Sequence, residues 1–357
     1  MTPTRHLRPL LVAIALVALA GGVAACGSDG GSDGAGSSTT AASSSGDGAG
    51  AIDAPDEITI AYQAIPNGDL IVKQQGLLEK ALPDTKITWQ LFDSGGAVNE
   101  AISSGDVDFG LAGSSPVSRG LSTGVPYRVV WIHDVIGAAE SLVVKDDIAS
   151  IEDLAGKTIA TPFASTAHYS LLAALNDAGV DPTTVNIIDS EPDDIYAAWT
   201  GGQIDGAYVW NPNLAKIIAD GGKVLITSAD LAKKGDTTYD LGVVSTDFAE
   251  KYPDVVDAWA KAEDQAVGLI QDDPDTAAEI IGAELEIETA DARAQLDDLI
   301  FVRAKEQAGA DYLGGALAEN LEKAAAFNRD QGQIDDVADT KTYVDGVDAG
   351  PAERAGE

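Results

Sequence analysis

From Ile58 onward, short runs rich in β-branched and aromatic residues alternate with longer stretches whose apolar positions recur every three or four residues. Ile58 to Tyr62, Lys86 to Phe92, Phe109 to Leu111 and Arg128 to Ile132 read as strands, with helical patterns over 69–80, 97–104 and 116–122 between them. A second series follows at Ser141 to Val144, Thr158 to Ala160, Val185 to Ile188, Ala207 to Val209 and Lys223 to Ile226, separated by helices near 168–178, 192–200 and 213–220. Such alternation predicts parallel α/β sheets. After Leu241-Gly242-Val243-Val244 the pattern turns helical, with Val255, Trp259, Ala262, Ala266 and Leu269 on one face. The elements therefore predict two α/β lobes joined by crossing strands near 140–144 and 239–244, with a ligand cleft between them.

The first residues follow another rule. Arg5 and Arg8 precede an uncharged run from Leu10 that closes on Gly21-Gly22-Val23-Ala24-Ala25-Cys26, the layout of a secretory signal with small residues before its cleavage point. Val23-Ala24-Ala25-Cys26 resembles a bacterial lipobox, so Cys26 is the expected lipidation site; an uncleaved anchor is the alternative, which Gly21-Gly22 weakens as a helix. Gly27 to Ala51 contains no Val, Ile, Leu or aromatic residue and reads as a tether. The expected partition is signal peptide 1–25, lipidated Cys26 and tether 26–55, first part of lobe 1 56–140, lobe 2 141–240, helical return to lobe 1 241–333 and an acidic tail 334–357.

Charge narrows the function. The 357 residues carry 22 Lys+Arg against 58 Asp+Glu, a net −36, which argues against nucleic acid as a partner. A single Cys forms no internal disulfide, and one Cys with three His is a poor zinc-site inventory unless carboxylates take part. The chain shows neither a Gly-x-Ser-x-Gly elbow, nor a phosphate loop, nor a dinucleotide fingerprint, so no catalytic residue and no cofactor are expected.

Binding is better represented. Gly113-Ser114-Ser115-Pro116, Thr161-Pro162-Phe163-Ala164-Ser165-Thr166-Ala167-His168 and Asn211-Pro212-Asn213 each read as a helix start, where free amides and the dipole favour an anion; plain capping is the alternative. Asp205, before a strand ending in Tyr208 and Trp210, could take a cation with the indole beside it, or could simply belong to an Asp-Gly turn. Glu140 enters a crossing strand and would supply a second carboxylate if it faces the cleft.

Ala61-Tyr62-Gln63, Phe92-Asp93-Ser94-Gly95, Ser104-Gly105-Asp106-Val107, Gly113 to Pro116, the run Pro162 to Leu175 and Ile204 to Trp210 resemble the taurine-binding branch of the sulfonate, nitrate and taurine solute-binding family of ATP-driven importers. The resemblance runs from about residue 57 to 330. It implies a two-lobed type II periplasmic-binding-protein-like fold that closes on one small zwitterion. By the same resemblance Gln63, Ser114, Ser115, Ser165, Thr166 and His168 belong to the sulfonate side, and Glu140, Asp205, Tyr208 and Trp210 to the ammonium side. Ala164 and Ala167 depart from the family and suggest an altered pocket volume. The implied partners are taurine or a related sulfonate, a membrane permease with its ATPase and, through Cys26, the membrane; the receptor is expected to act as a monomer outside the cytoplasm. A receptor for another alkanesulfonate or amine sulfonate, and a cofactor-free biosynthetic enzyme on the same fold, are the competing readings.

Overall fold

Eleven strands build two mixed sheets in the computed structural model, which describes residues 52–357. The expected signal peptide, Cys26 and nearly all of the tether lie outside the described residues. The first sheet contains β1 (Glu57–Tyr62), β2 (Lys86–Leu91), β3 (Phe109–Gly113), β4 (Tyr127–Ile136), β10 (Tyr239–Ser245) and β11 (Leu299–Ile300), in the order β11-β4-β10-β3-β1-β2. The second contains β5 (Glu140–Val144), β6 (Thr158–Thr161), β7 (Asn186–Asp189), β8 (Gly206–Trp210) and β9 (Lys223–Thr227), in the order β7-β6-β8-β5-β9.

The sheets are not wholly parallel, as the βα alternation had suggested. β1 pairs in parallel with β2 and β3, and β6 with β7 and β8. The strands that carry the chain between sheets run the other way: β10 lies antiparallel between β3 and β4, and β5 lies antiparallel between β8 and β9. Only three residues separate β4 from β5, and β10 returns to the centre of the first sheet. Both crossings therefore anchor in sheet interiors, where the ladder holds their ends in register.

Sequence patterning located ten of these strands and missed β11, whose two residues are too few to show a period. The helix expected over 69–80 is two helices, Gly68–Gln75 and Leu77–Ala81, because Gly76 adopts a left-handed φ of 56° that ends the first. The stretch 334–357, expected as an acidic tail, is also built in. Helices Thr340–Asp345 and Gly350–Ala355 bury Tyr343 and Ala352 completely, Tyr343 shares a hydrogen bond with Ser122, and Arg354 pairs with Asp257. Apolar residues spaced so thinly among acids leave no periodic signal, yet one buried Tyr is enough to dock a six-residue helix.

The core of the first lobe gathers Ile58, Ile60, Phe109, Trp131, Val243 and Trp259, with the long helix Pro253–Asp272 packed against the sheet. The second lobe has apolar clusters around Leu142, Leu171 and Tyr208 and around Val143, Val209 and Ile217. No helix among the described residues is long and apolar enough to cross a membrane.

Candidate functional site

A small cavity lies between the sheets, lined by residues from both. Gln63, Gly95, Gly113, Pro116 and Asp240 reach it from the first lobe, and Glu140, Ser165, Thr166, Trp210 and Asn211 from the crossing strand and the second. With the lobes as they stand its volume is about 30 Å³. The lobes meet tightly above it: a methyl group added at Gly113 would come within 2.6 Å of Thr166 Cγ2.

Three helix N-termini converge on this space. The helices Gly95–Ser104, Ser114–Thr123 and Thr166–Asp177 begin at or next to the lining residues Gly95, Gly113 and Ser165-Thr166. Their first-turn amides have no partners within their own helices, and their dipoles place partial positive charge at the cavity. Ser165 caps the last of them, accepting from the His168 amide at 3.1 Å while donating to Pro162 O.

Carboxylates gather at the same cavity. Glu140 is buried and accepts hydrogen bonds from Thr166 at 2.5 Å, Ser228 at 2.9 Å and Ser170 at 3.4 Å. Those hydroxyls favour the ionised form, but burial outweighs them and pushes the carboxyl up to about 7. Asp240, half-buried and open to the cavity, is pushed up to about 8 by burial and by Glu140. Asp134 is fully buried without a hydrogen-bond partner, and burial with the charges of Asp240 and Glu140 raises it strongly. Asp134 and Asp240 stand directly opposite on antiparallel β4 and β10, a like-charge pairing that weakens a sheet unless something positive joins it. Across from Glu140, in register on β8, Trp210 presents its indole to the cavity. Acids on β4, β5 and β10 thus stand at both crossings between the lobes, with Glu140 and Asp240 lining the cavity and Asp134 buried next to Asp240.

Gln63, Glu140, Ser165, Thr166 and Trp210 are brought together as expected of neighbours in one site. The other five candidates are not. Asp205 sits five residues before Trp210, about 17 Å away along a strand. There it accepts from the Thr158 amide at 2.9 Å and lies 3.8 Å from Lys145, so it ties β6 to β8 and does not line the cavity. Tyr208 is buried behind Glu140, its hydroxyl bonded to Ser228. Ser114 accepts from the Tyr239 amide, and Ser115 from Asn328, so both hydroxyls serve packing around the Ser114–Thr123 helix. His168 stacks on Phe163 at 4.4 Å and is pulled down to about 4 by burial and the nearby Arg119, leaving it a neutral ring outside the cavity lining. Ala164 and Ala167 do not enlarge the cavity: Ala167 packs in the second lobe's core, and Ala164 takes a left-handed φ of 63° beside an outer groove.

Sequence reasoning missed Asp134, Asp240 and the helix start at Gly95, while Asn211, named in a candidate helix start, does line the cavity. A signal existed for two of them, since an acid within an apolar strand, as in Val130 to Ile136 or Tyr239 to Val244, is either paired or functional. Asp205→Asn is accordingly expected to change ligand affinity by less than twofold in calorimetry, while lowering the unfolding free energy by about 0.5–1 kcal/mol through the weaker, uncharged acceptor offered to Thr158 and the lost charge facing Lys145. Abolished binding would return Asp205 to the site.

The chain is similar to several known proteins. The chain is 44% identical over 205 residues to a taurine-binding periplasmic protein of Escherichia coli K12, covering 57% of this chain and 63% of that protein. It is 31% identical over 184 residues to a putative aliphatic sulfonates-binding protein of the same organism, covering 51% and 58% respectively. The matches thus span about three fifths of these relatives' lengths. Among solved structures, the alkanesulfonate-binding protein of Xanthomonas axonopodis pv. citri bound to MOPS superposes with a TM-score of 0.68 at 23% identity, over 84% of this chain and 98% of that one, and so shares the two-lobed fold. Residues 90–277, more than half of the chain, match the family model described as NMT1/THI5 like. With that match and the two-lobed sheets, the chain belongs to the NMT1/THI5-like family of proteins.

Proposed function

We propose that the protein is an extracytoplasmic receptor that captures taurine, 2-aminoethanesulfonate, and hands it to the permease of an ATP-driven importer. The observation that carries this reading is the opposition within one cavity of three converging helix starts and the acids Glu140 and Asp240, with Asp134 buried beside Asp240, for which no cation partner is found among the described residues. A tetrahedral sulfonate suits the amides; a primary ammonium suits the carboxylates and the face of Trp210. The identity to a taurine-binding relative supports the same ligand. The lipid on Cys26 would hold the receptor at the membrane as a monomer, with the lobes 56–140 plus 241–333 and 141–240 closing on the ligand. We read the site as one for capture rather than catalysis, since its groups face both ends of a zwitterion.

An alkanesulfonate receptor is the second reading, favoured by the names of the sulfonate-binding relatives. It gives the acids nothing to bind. Calorimetric titration with taurine and with ethanesulfonate, which lacks the amine, separates the two: taurine is expected to bind at least 100-fold more tightly, about 3 kcal/mol, as the loss of a partner for buried charge predicts. Equal affinities would favour the alkanesulfonate reading.

A further inference from the structure

A second polar cluster lies outside the cavity, inside the first lobe. His133 on β4, Asp69 in the first turn of the helix Gly68–Gln75 and Glu263 midway along the helix Pro253–Asp272 converge with side chains at most 2% exposed. Since neighbours on a strand face opposite ways, His133 points away from the side of β4 that Asp134 occupies. Both ring nitrogens of His133 have no hydrogen-bond partner, and the carboxyls of Asp69 and Glu263 have none but each other. The separations are 3.8 Å from Nε2 to Asp69 Oδ2 and 3.6 Å from Nδ1 to Glu263 Oε2, too long for hydrogen bonds.

From these observations we infer a binding site for one divalent transition-metal cation, Zn²⁺ as the probe, held by one imidazole nitrogen of His133 and one oxygen each of Asp69 and Glu263. These three ligand atoms lie within 4.8 Å of one another. Around tetrahedral Zn²⁺, with bonds of about 2.0–2.2 Å, ligand atoms stand about 3.4 Å apart, so closure from separations within 4.8 Å needs movement of up to roughly an ångström, within reach of carboxylate side-chain rotation. Charge balances, because a neutral imidazole and two carboxylates present −2 to a 2+ ion. The mixed nitrogen and oxygen donors suit Zn²⁺ better than Mg²⁺ or Ca²⁺. The backbone makes room for the cluster: at Gly68 a Cβ would stand 2.6 Å from Glu263 Oε2, so any other residue there would push the carboxylate out. The Trp259 ring, edge-on to His133 at 5.9 Å, walls the site from solvent and fixes the imidazole. A cation so placed ties two helices to the central part of β4 and acts as a structural metal; its entry accompanies folding.

The test uses the full chain, unfolded in denaturant with EDTA, then refolded with ZnCl₂ or without metal and desalted. About one zinc per chain by elemental analysis and a higher thermal midpoint in the zinc sample are expected, with Co²⁺ refolding giving the visible absorption of a low-coordinate nitrogen–oxygen site. Glu263→Gln and His133→Gln are expected to lose the metal, whereas Glu140→Gln, in the cavity, keeps it. That contrast separates the site from the cavity acids and from the acidic surface. Zinc-free wild type of normal fold, meaning a proton-sharing cluster, would overturn the inference, as would equal zinc content in wild type and Glu263→Gln. If the variants fail to fold, a wild type lacking the Co²⁺ bands overturns it alone. Taurine titration does not report on this site, so either proposal can fail without the other.

Discussion

Glu140→Gln is expected to weaken taurine binding by about 30- to 5,000-fold, corresponding to the 2–5 kcal/mol lost when one member of a desolvated charge pair is removed. Its neighbours make the effect specific. Thr166, Ser170 and Ser228 already supply Glu140 with hydroxyl donors, so its carboxylate is oriented before the ligand arrives. The glutamine amide keeps the volume and an acceptor but removes the charge. Ethanesulfonate affinity should change by less than about threefold, because its sulfonate meets the helix starts and it has no ammonium to lose. A calorimeter comparing the two ligands on both proteins checks this, and a parallel loss for both would mean that Glu140 organises the cavity rather than binding the amine.

The same substitution should stabilise the ligand-free protein. Glu140 has a folded-state value raised from 4.5 to about 7, so the folded chain binds its proton more tightly than the unfolded chain does. Its contribution is therefore unimpaired below about pH 4.5 and is lost as pH rises toward 7, reaching about 3 kcal/mol of destabilisation above that. Glutamine does not ionise. Urea unfolding of the ligand-free proteins at pH 8 should thus show the variant more stable by about 1–3 kcal/mol, while at pH 4.5 the difference narrows. A site that lowers stability until its ligand arrives is what a receptor for a cationic group requires.

Much of this was legible along the chain, and its limits are physical. Strand runs such as Ile58 to Tyr62 and Ser141 to Val144 are buried on both faces and carry the continuous apolar pattern of central strands, so they stood out. Direction did not, because antiparallel β10 and parallel β1 carry equally apolar patterns; pairing depends on where the crossing strands return. Glu140, Thr166 and Trp210 were found through helix starts and a strand end next to the crossing. Asp205 and Trp210 looked equivalent as members of one motif, although they stand at opposite ends of the five-residue strand Gly206–Trp210, which places only the second at the cavity. Asp134 and Asp240 lie over 100 positions apart in sequence, and only the β4–β10 ladder sets them opposite each other. What local sequence cannot show is the cross-strand neighbour, and the cavity's acid cluster consists of such neighbours.

That cluster should make capture depend on proton release. In the ligand-free protein Glu140 titrates near 7 and Asp240 near 8, both raised chiefly by burial, so at pH 5.5 nearly all of their carboxyls are protonated. A primary ammonium stays charged across this range, as that of lysine does, and it binds the ionised pair. Affinity should therefore rise with pH, the reverse of what a protonated histidine holding the sulfonate would give. Between pH 5.5 and 7.5 the expected gain is about 20-fold if Glu140 alone must ionise, and on the order of 1,000-fold if Asp240 must ionise with it. Titrations at pH 7 in two buffers of different ionisation enthalpy count the protons directly, since the observed heat shifts by the number released. Glu140→Gln should remove about one proton from that count and flatten the pH profile accordingly. An affinity constant from pH 5.5 to 8, with no buffer dependence of the heat, would mean that the acids are not the ammonium's partners and that the amine end binds elsewhere; ethanesulfonate, lacking the amine, should show that flat profile on the wild type.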